Sequence, residues 1–407
     1  MNIGFIGLGK LGLPCATEIV KGGHQVDGYD VQSVESNYLK VVESIKEVVE
    51  GKDIVFVAVP TPHDTRYDGK TPIADLPPKD FSYDIAKSVL KEANHYMKKS
   101  QILVLISTVL PGTVRRELAP LVTKCEFVYN PYLIAMGSVA WDMINPEMVM
   151  IGTEDGKETG PAKKLVQFYK TIMQNDPRYV VGTWDECECI KVFYNTFISA
   201  KLSLVNMIQD VAERQGNINV DIVTDALAKS TWRIMGPQYM KAGMGDGGAC
   251  HPRDNIALRY MANNLELGYD LFDAIMTARE VQAKNLALTL VQESKKTGYP
   301  ILIHGKAYKP NVPYEEGSYS ILIGHYCAEY GITPHYVDPH TNDNYNPTAP
   351  CVVLLAHSAT TTYSYIDKEQ QDSLYCDIPA GSIVVDPWRK FNGPEYTVIH
   401  YGDTRNV

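Results

Sequence analysis

Residues 1–12 read MNIGFIGLGKLG: a short apolar run, then glycines at positions 7, 9 and 12, spaced G-x-G-x-x-G. The spacing alone is a weak signal, but behind an apolar strand and ahead of a helical stretch it has the right context. The spacing asks for a buried strand, a tight turn and a helix whose N-terminus lies bare beside the turn. A chain that starts this way is committed to a parallel β-α-β unit. The turn also presents backbone N–H groups and the positive end of a helix to an anion, as a dinucleotide's pyrophosphate requires. Gly7, Gly9, Leu11 and Gly12 form the expected cradle. A second strand, Gln25–Tyr29, leads to Asp30, 18 residues after Gly12. A carboxylate there binds ribose hydroxyls and repels a 2′-phosphate, and the next basic residue is Lys40. The cofactor expected is therefore NAD and not NADP.

The strand–helix alternation continues. Apolar runs at Ile54–Val59, Ile102–Ser107, Glu126–Tyr129 and Met148–Ile151 read as further strands of a doubly wound sheet. From Glu186 to Gly216 the period changes. Ile190, Phe193, Phe197, Leu204, Ile208 and Val211 recur at helical spacing, and helical patterns continue over Ile218–Lys229 and Ile256–Lys296. Strands return at Ile301–His304, Pro334–Val337, Cys351–Leu355, Ile383–Val385 and Tyr396–His400. The fold class expected is α/β, with two doubly wound Rossmann-like domains, 1–185 and 299–407, joined by an all-helical region, 186–298. No close internal sequence repeat and no low-complexity linker stands out.

Composition narrows the partners. Of 407 residues, 45% are hydrophobic and 21% charged, with a net charge of −10. General attraction to nucleic acid or to an anionic membrane is not expected, and an anionic substrate needs a local basic pocket. No apolar run approaches the ~18 residues of a membrane span. Met1 leads directly into an apolar strand, which reads as a cytoplasmic start without a signal peptide. The eight cysteines lack paired metal or disulfide spacing, Cys187-x-Cys189 being too little for a zinc site. Reduced thiols and no metal are expected.

One cysteine has different company. Cys250 lies in GMGDGGACHPRD, Gly243–Asp254, behind a glycine-rich stretch. If a helix starts there, its dipole lowers the thiol pKa, and Asp254 lies one turn on, able to handle a proton. A thiolate in a chain with a dinucleotide site suits oxidation beyond an aldehyde, through a thiohemiacetal and a thioester. Lys191 and Asn195 are four apart on one helix face and can serve an oxyanion. Thr108, in STVLPGT at a strand end, can hold a water or the nicotinamide. Lys309 in GKAYKP and Arg389 after the strand ending at Val385 are candidate phosphate ligands.

Taken in order, GLGKLG, Val59-Pro60-Thr61-Pro62, STVLPGT, Lys191-x-x-x-Asn195, Arg233 ahead of GMGDGGAC, Cys250-x-x-x-Asp254 and GKAYKP resemble the UDP-glucose/GDP-mannose dehydrogenase family across essentially the whole chain. The resemblance implies two NAD-type domains and dimerisation through the central helices. It implies Cys250 as the catalytic thiol, Lys191 and Asn195 as oxyanion donors, and Asp254 with Thr108 positioning water. Thr61 joins the cofactor contacts. Arg233, Gly247, Lys309 and Arg389 would meet the nucleotide sugar, Arg233 across the dimer interface. The implied reaction is four-electron oxidation of the sugar C6 alcohol by two NAD, with UDP-glucose to UDP-glucuronate foremost.

The chain departs from that pattern at defined places. Tyr132 and Met136 replace two glutamates, the first of which the family assigns to thioester hydrolysis. Asp246 stands for a phenylalanine, Arg253 for a lysine, Glu316 for an arginine, and Ala356-His357-Ser358 for a Thr-Glu-Trp. Two alternatives stay open on sequence: a related oxidoreductase with a two-electron outcome or a hydroxyacid substrate, and a nucleotide-sugar binding protein without turnover. Cys250 and GKAYKP weigh against the hydroxyacid reading.

Overall fold

The computed structural model describes residues 1–62, 64, 66, 77, 79–135, 137–236, 242–246, 250–357 and 375–404, without the side chains of residues 250, 253 and 257. The chain divides into two compact units, Met1–Lys201 and Leu202–Val407. The division falls inside one helix rather than at the 185/186 boundary expected from the change of period.

The first unit holds an eight-stranded sheet: β1 (Asn2–Ile6), β2 (Gln25–Tyr29), β3 (Lys40–Val41), β4 (Ile54–Val57), β5 (Ile102–Leu105), β6 (Glu126–Tyr129), β7 (Met148–Thr153) and β8 (Arg178–Thr183). The strand order is β3-β2-β1-β4-β5-β6-β7-β8. Only the β6–β7 pair among these is antiparallel. Strand periodicity builds two cores. Ile54, Phe56, Ile102 and Val104 face one side, with α1 (Gly12–Lys21), α4 (Val139–Ile144) and α5 (Gly160–Tyr169) packed there. Val55, Val57, Leu103 and Leu105 face the other, covered by α2 (Ile45–Val49), α3 (Asp84–Tyr96) and the first turn of α6 (Trp184–Gln215). Burial on both faces makes these strands uniformly apolar, so they were easy to read. β8 lacks this pattern: its sequence, RYVVGT, begins with an exposed arginine and is only partly buried.

The second unit carries α7 (Val220–Ala228), α8 (Cys250–Asn264), α9 (Leu271–Thr297), β9 (Ile301–His304), α10 (Tyr319–Glu329), β10 (His335–Asp338), β11 (Asp343–Asn344), β12 (Val352–Leu355), β13 (Ile383–Asp386) and β14 (Thr397–His400). Its sheet order is β11-β10-β9-β12-β13-β14, repeating the order around β1 in the first unit. α9 and α10 pack one face through Leu286, Leu290, Ile323 and Cys327. The helical block expected over 256–296 is broken between α8 and α9, where Glu266 and Gly268 take left-handed φ of 52° and 82°. The helices that join the two sheets along the chain bury little: Met207, Ala262, Leu267 and Phe272 form a small cluster, while Phe193, Phe197, Leu202, Ile222, Trp232 and Ile256 are more than half exposed. Among the described residues no helix is long and apolar enough to cross a membrane.

Candidate active site

In the first unit the fingerprint folds as its spacing demands. Gly7 follows β1 with φ +94°, and its N–H donates to the Tyr29 carbonyl at 2.8 Å. Only glycine enters that backbone region at little cost. Gly12 opens α1 so close to the turn that a Cβ on it would lie 1.8 Å from the Gly7 carbonyl oxygen. Gly9 contrasts with both: a Cβ there meets no atom within 4 Å. The space over Gly9 is a cradle that a side chain would fill. α1 has no side-chain cap and no acidic residue in its first turn, so its N-terminal dipole is uncompensated by protein. Leu11 packs against the core beneath.

Asp30 has a second duty that sequence alone did not show. Its Oδ2 accepts from Leu8 N–H at 2.7 Å and its Oδ1 from Gln32 N–H at 2.8 Å. The carboxylate thus ties the second strand to the glycine turn and keeps unused lone pairs for hydroxyls. Open space at Gly9, a bare helix terminus and a fixed carboxylate 18 residues past Gly12 fit a dinucleotide.

At the sheet's C-terminal edge, Thr61 Oγ1 donates to the Thr108 carbonyl at 2.7 Å, and Ser107 Oγ to the Val59 carbonyl at 2.5 Å. The loops after β4 and β5 are therefore joined. α6 grips two loops from one side. Glu188, fully buried, accepts from the N–H groups of Gly112 and Val114 at 2.6 and 2.7 Å. One turn later, Lys191 Nζ donates to the Tyr132 carbonyl at 2.6 Å. Burial lowers the Lys191 ammonium below the usual lysine range. Asn195 lies a further turn along and is exposed.

Tyr132 turns inward. Its hydroxyl meets that of Tyr169 at 2.9 Å, Tyr169 bonds Asn130 Oδ1, and Asn130 Nδ2 donates to the Met150 carbonyl at 2.5 Å. Burial holds the Tyr132 hydroxyl well above the usual phenol range. It is no base. Met136 lies outside the described residues.

In the second unit α8 begins at Cys250, as the reactive reading required, with Asp254 four residues on and exposed. Residues 243–246, a few positions earlier, are tightly held. The Trp388 and Tyr319 rings lie against Gly243 and Gly245, leaving no room for a Cβ. Arg279 Nε on α9 bonds Asp246 Oδ1 at 2.5 Å. Arg389, expected at a phosphate, directs Nη1 to the Pro387 and Tyr401 carbonyls at 2.5 and 3.0 Å and Nη2 to the Ala242 carbonyl at 2.7 Å. Most of its donors thus anchor backbone. Arg233 is exposed, and Lys309 is partly buried with Nζ 5.3 Å from the Tyr308 ring centre. Gly247 lies outside the described residues.

GKAYKP repeats the logic of the first turn. Gly305 has φ +104° and donates to the Val337 carbonyl at 2.9 Å. Asp338, ending β10, accepts from Lys306, Ala307 and His340 N–H at 3.0, 2.9 and 3.0 Å, as Asp30 accepts from Leu8 and Gln32. The signal for Asp338 was present: it ends the second strand of the second half.

The other seven cysteines, 15, 125, 187, 189, 327, 351 and 376, are free thiols. Burial pushes every one of them upward, Cys15, Cys125, Cys187 and Cys327 to about 12. None is poised as a nucleophile.

Comparison with known proteins points to one family. Residues 31–173 match the NAD binding domain of the UDP-glucose/GDP-mannose dehydrogenase family, and residues 185–281 match its central domain. The UDP-glucose 6-dehydrogenase YwqF of Bacillus subtilis is 27% identical over 366 residues, covering 83% of this chain and 80% of its own length. The Gallus gallus UDP-glucose 6-dehydrogenase is 25% identical over 382 residues, covering 91% and 75%. Among solved structures, a ternary complex of GDP-mannose dehydrogenase from Pseudomonas aeruginosa superposes with a TM-score of 0.78 at 20% identity, covering 98% of this chain and 99% of that one.

Proposed function

The chain belongs to the UDP-glucose/GDP-mannose dehydrogenase family, whose NAD-binding and central domains it carries, and from that premise we propose that it oxidises the C6 alcohol of a nucleotide sugar to a carboxylate through Cys250. Domains 1–185, 186–298 and 299–407 would bind NAD, dimerise and bind the nucleotide sugar. The observation that carries the reading is the contrast among thiols. The seven other thiols are all held up by burial, which leaves Cys250, the first described residue of the fifteen-residue α8, as the candidate nucleophile.

NAD is the cofactor, held by Gly7, Gly9, Leu11, Gly12, Asp30 and Thr61, and when bound it supplies hydride acceptance for both oxidations. Cys250 Sγ adds to the aldehyde carbonyl, forming a C–S bond and a tetrahedral oxyanion. Lys191 and Asn195 donate to that oxygen, each such donor being worth roughly 3–4 kcal/mol in comparable sites. The lowered Lys191 pKa eases proton donation to it. The thioester left on Cys250 is cleaved by water, which returns the sulfur to a thiol and releases the acid. Thr108 and Asp254 position that water, since the Tyr132 hydroxyl is committed to Tyr169. Acyl-enzyme breakdown is then the slow step. Arg233, Gly247, Lys309 and Arg389 serve the nucleotide sugar, with UDP-glucose the first substrate to offer. The exposed apolar side chains of the central helices support a homodimer, and we place the enzyme in the cytoplasm.

The test is NADH formed per nucleotide sugar consumed, with UDP-glucose, GDP-mannose and their N-acetylated relatives offered in turn. A ratio of about two on one substrate supports the reading, and Cys250→Ala should abolish the second oxidation. Sustained two-NADH turnover by Cys250→Ala removes Cys250 from the mechanism. NAD binding without NADH from any sugar favours a binding protein.

A further inference from the structure

We propose that Glu188 is a positioning residue, whose ionised carboxylate latches the Thr108 loop to the helix carrying Lys191. The proposal rests on the dehydrogenase reading for its link to turnover. Its structural half stands on geometry alone. Glu188 is fully buried, and each carboxylate oxygen accepts one backbone N–H: Oε2 from Gly112 at 2.6 Å, Oε1 from Val114 at 2.7 Å. Those donors lie four and six residues past Thr108. Gly112, at φ +85°, is where the loop turns back toward the segment 114–118. On its other flank the loop is tied through Thr61 to the Thr108 carbonyl. Thr108 therefore sits between two fastenings. One is a hydroxyl. The other is an acid one helical turn before Lys191.

A carboxylate accepting two N–H groups can do what no neutral side chain does there, because both its oxygens are acceptors. Protonation converts one oxygen into a hydroxyl donor facing an N–H, and the grip is lost on that side. The surroundings bring this change near neutrality. Burial raises the Glu188 carboxyl to about 7 against the two N–H bonds, with Asp185 adding to the rise and Arg115 opposing it. The other groups facing it are Tyr129 at the end of β6 and Cys187 and Cys189 on its own helix, all held protonated by burial. Arg115 is itself engaged, its Nη2 meeting Asp185 Oδ1 at 2.8 Å. The two N–H bonds hold this carboxyl below where burial alone would put it, so while Glu188 stays buried the bonded form is favoured above neutrality and the unbonded, protonated form below it.

The experiment uses the full chain, wild type and Glu188→Gln, which keeps the shape but offers one acceptor. Amide exchange of the 107–114 segment is read across pH after correction for intrinsic exchange. In the wild type, protection of Gly112 and Val114 should fall as pH drops through about 7. In Glu188→Gln it should be about tenfold lower and flat with pH, as expected for a locally opened segment. With NAD and the accepted nucleotide sugar, kcat of the variant should fall by about ten- to a hundredfold, the scale of a misplaced catalytic group, with KM for NAD little changed. The limb of the kcat–pH profile near 7 should disappear. A carboxylate that only supports folding would lower thermal stability and leave that limb in place, which overturns the proposal. Unchanged exchange in Glu188→Gln also overturns it, as does faster exchange with undiminished kcat. If the wild type turns over no sugar, the dehydrogenase reading fails separately, and wild-type amide protection against pH still upholds or overturns the latch.

Discussion

Two glycines three residues apart should fail in opposite ways when given a methyl group. A Cβ on Gly12 would lie 1.8 Å from the Gly7 carbonyl oxygen and 2.9 Å from its carbon, with the Phe5 ring 3.1 Å away. Two of these neighbours are backbone and cannot swing aside. Overpacking costs about 1–3 kcal/mol in tight cores, and a rigid neighbour puts Gly12→Ala near the top of that range. In a unit of some 200 residues, about 3 kcal/mol lowers Tm by roughly 6–12 °C. Gly9→Ala meets nothing within 4 Å, and Gly9 has no positive φ to forbid a side chain. Its fold should hold, with Tm unchanged or slightly raised, because alanine removes unfolded-state freedom worth about 0.4–1 kcal/mol. Its methyl instead occupies the cradle. NAD affinity should drop by at least about tenfold, or 1.4 kcal/mol. The assays are thermal melting without ligand and NAD titration by calorimetry. Gly9→Ala binding NAD like the wild type would refute the placement of the pyrophosphate over Gly9. A Gly12→Ala protein melting with the wild type would refute the packing argument.

Three further outcomes follow from the same geometry. Asp30→Arg should weaken NAD and shift preference toward NADP, read as the ratio of kcat/KM values; Asp30→Asn should also lose about tenfold for NAD, because one of the bonds from Leu8 and Gln32 loses its acceptor. An unchanged preference would mean that Asp30 does not face the ribose. Tyr132→Phe should keep kcat within about twofold, since that hydroxyl serves the Tyr169 contact and not the reaction; a large fall in kcat with an intact melting curve would restore Tyr132 to the mechanism. The Glu188 carboxyl, raised in the folded state from 4.5 to about 7, binds a proton more tightly there than when unfolded. Its contribution to stability is therefore complete below pH 4.5 and lost as pH rises through 7, by linkage. Glu188→Gln should flatten that part of the stability–pH curve, and identical slopes for both proteins would count against a raised carboxyl.

What was legible in the sequence was whatever a local rule controls. Glycine spacing marks the turn, and full burial makes β4 and β5 continuous apolar runs. The change from strand to helical period marked α6 within two residues of its observed start at Trp184. Cys250 at the head of α8 followed from the glycine stretch before it. What was hidden depended on partners far along the chain. Glu188 reads as one more charge on a helix until Gly112 and Val114, 76 and 74 residues away, are brought to it. Arg389 looks like a free cation until the Ala242 carbonyl, 147 residues away, claims it. The doubling itself was legible as two doubly wound domains, but the matching order of their strands was not, for the same reason. A sheet repeats through hydrogen-bonded order, and Gly7 with Asp30 and Gly305 with Asp338 are all that the two halves need to share.

The departures from the family pattern carry a physical argument of their own. Asp246 replaces an aromatic side chain in the segment leading to Cys250, where a partly buried carboxylate left alone would cost several kcal/mol. It is not alone: Arg279 meets it at 2.5 Å, stacks 5.4 Å from the Tyr319 ring centre, and is itself largely buried. Tyr132 likewise replaces a carboxylate, and its hydroxyl enters a chain of bonds through Tyr169 and Asn130 to the Met150 carbonyl. Each change has a local partner of matching chemistry, so both loops remain specified. Yet the Tyr132 carbonyl, which any residue would offer, still receives Lys191. On the proposed mechanism, the backbone contact that would place the oxyanion donor is therefore present although the side chain at position 132 is not one that could activate water. On the proposed mechanism the chain has the groups to form a tetrahedral adduct but no carboxylate at position 132 to speed its final breakdown, so acyl-enzyme hydrolysis, and not hydride loss, should be the slow step.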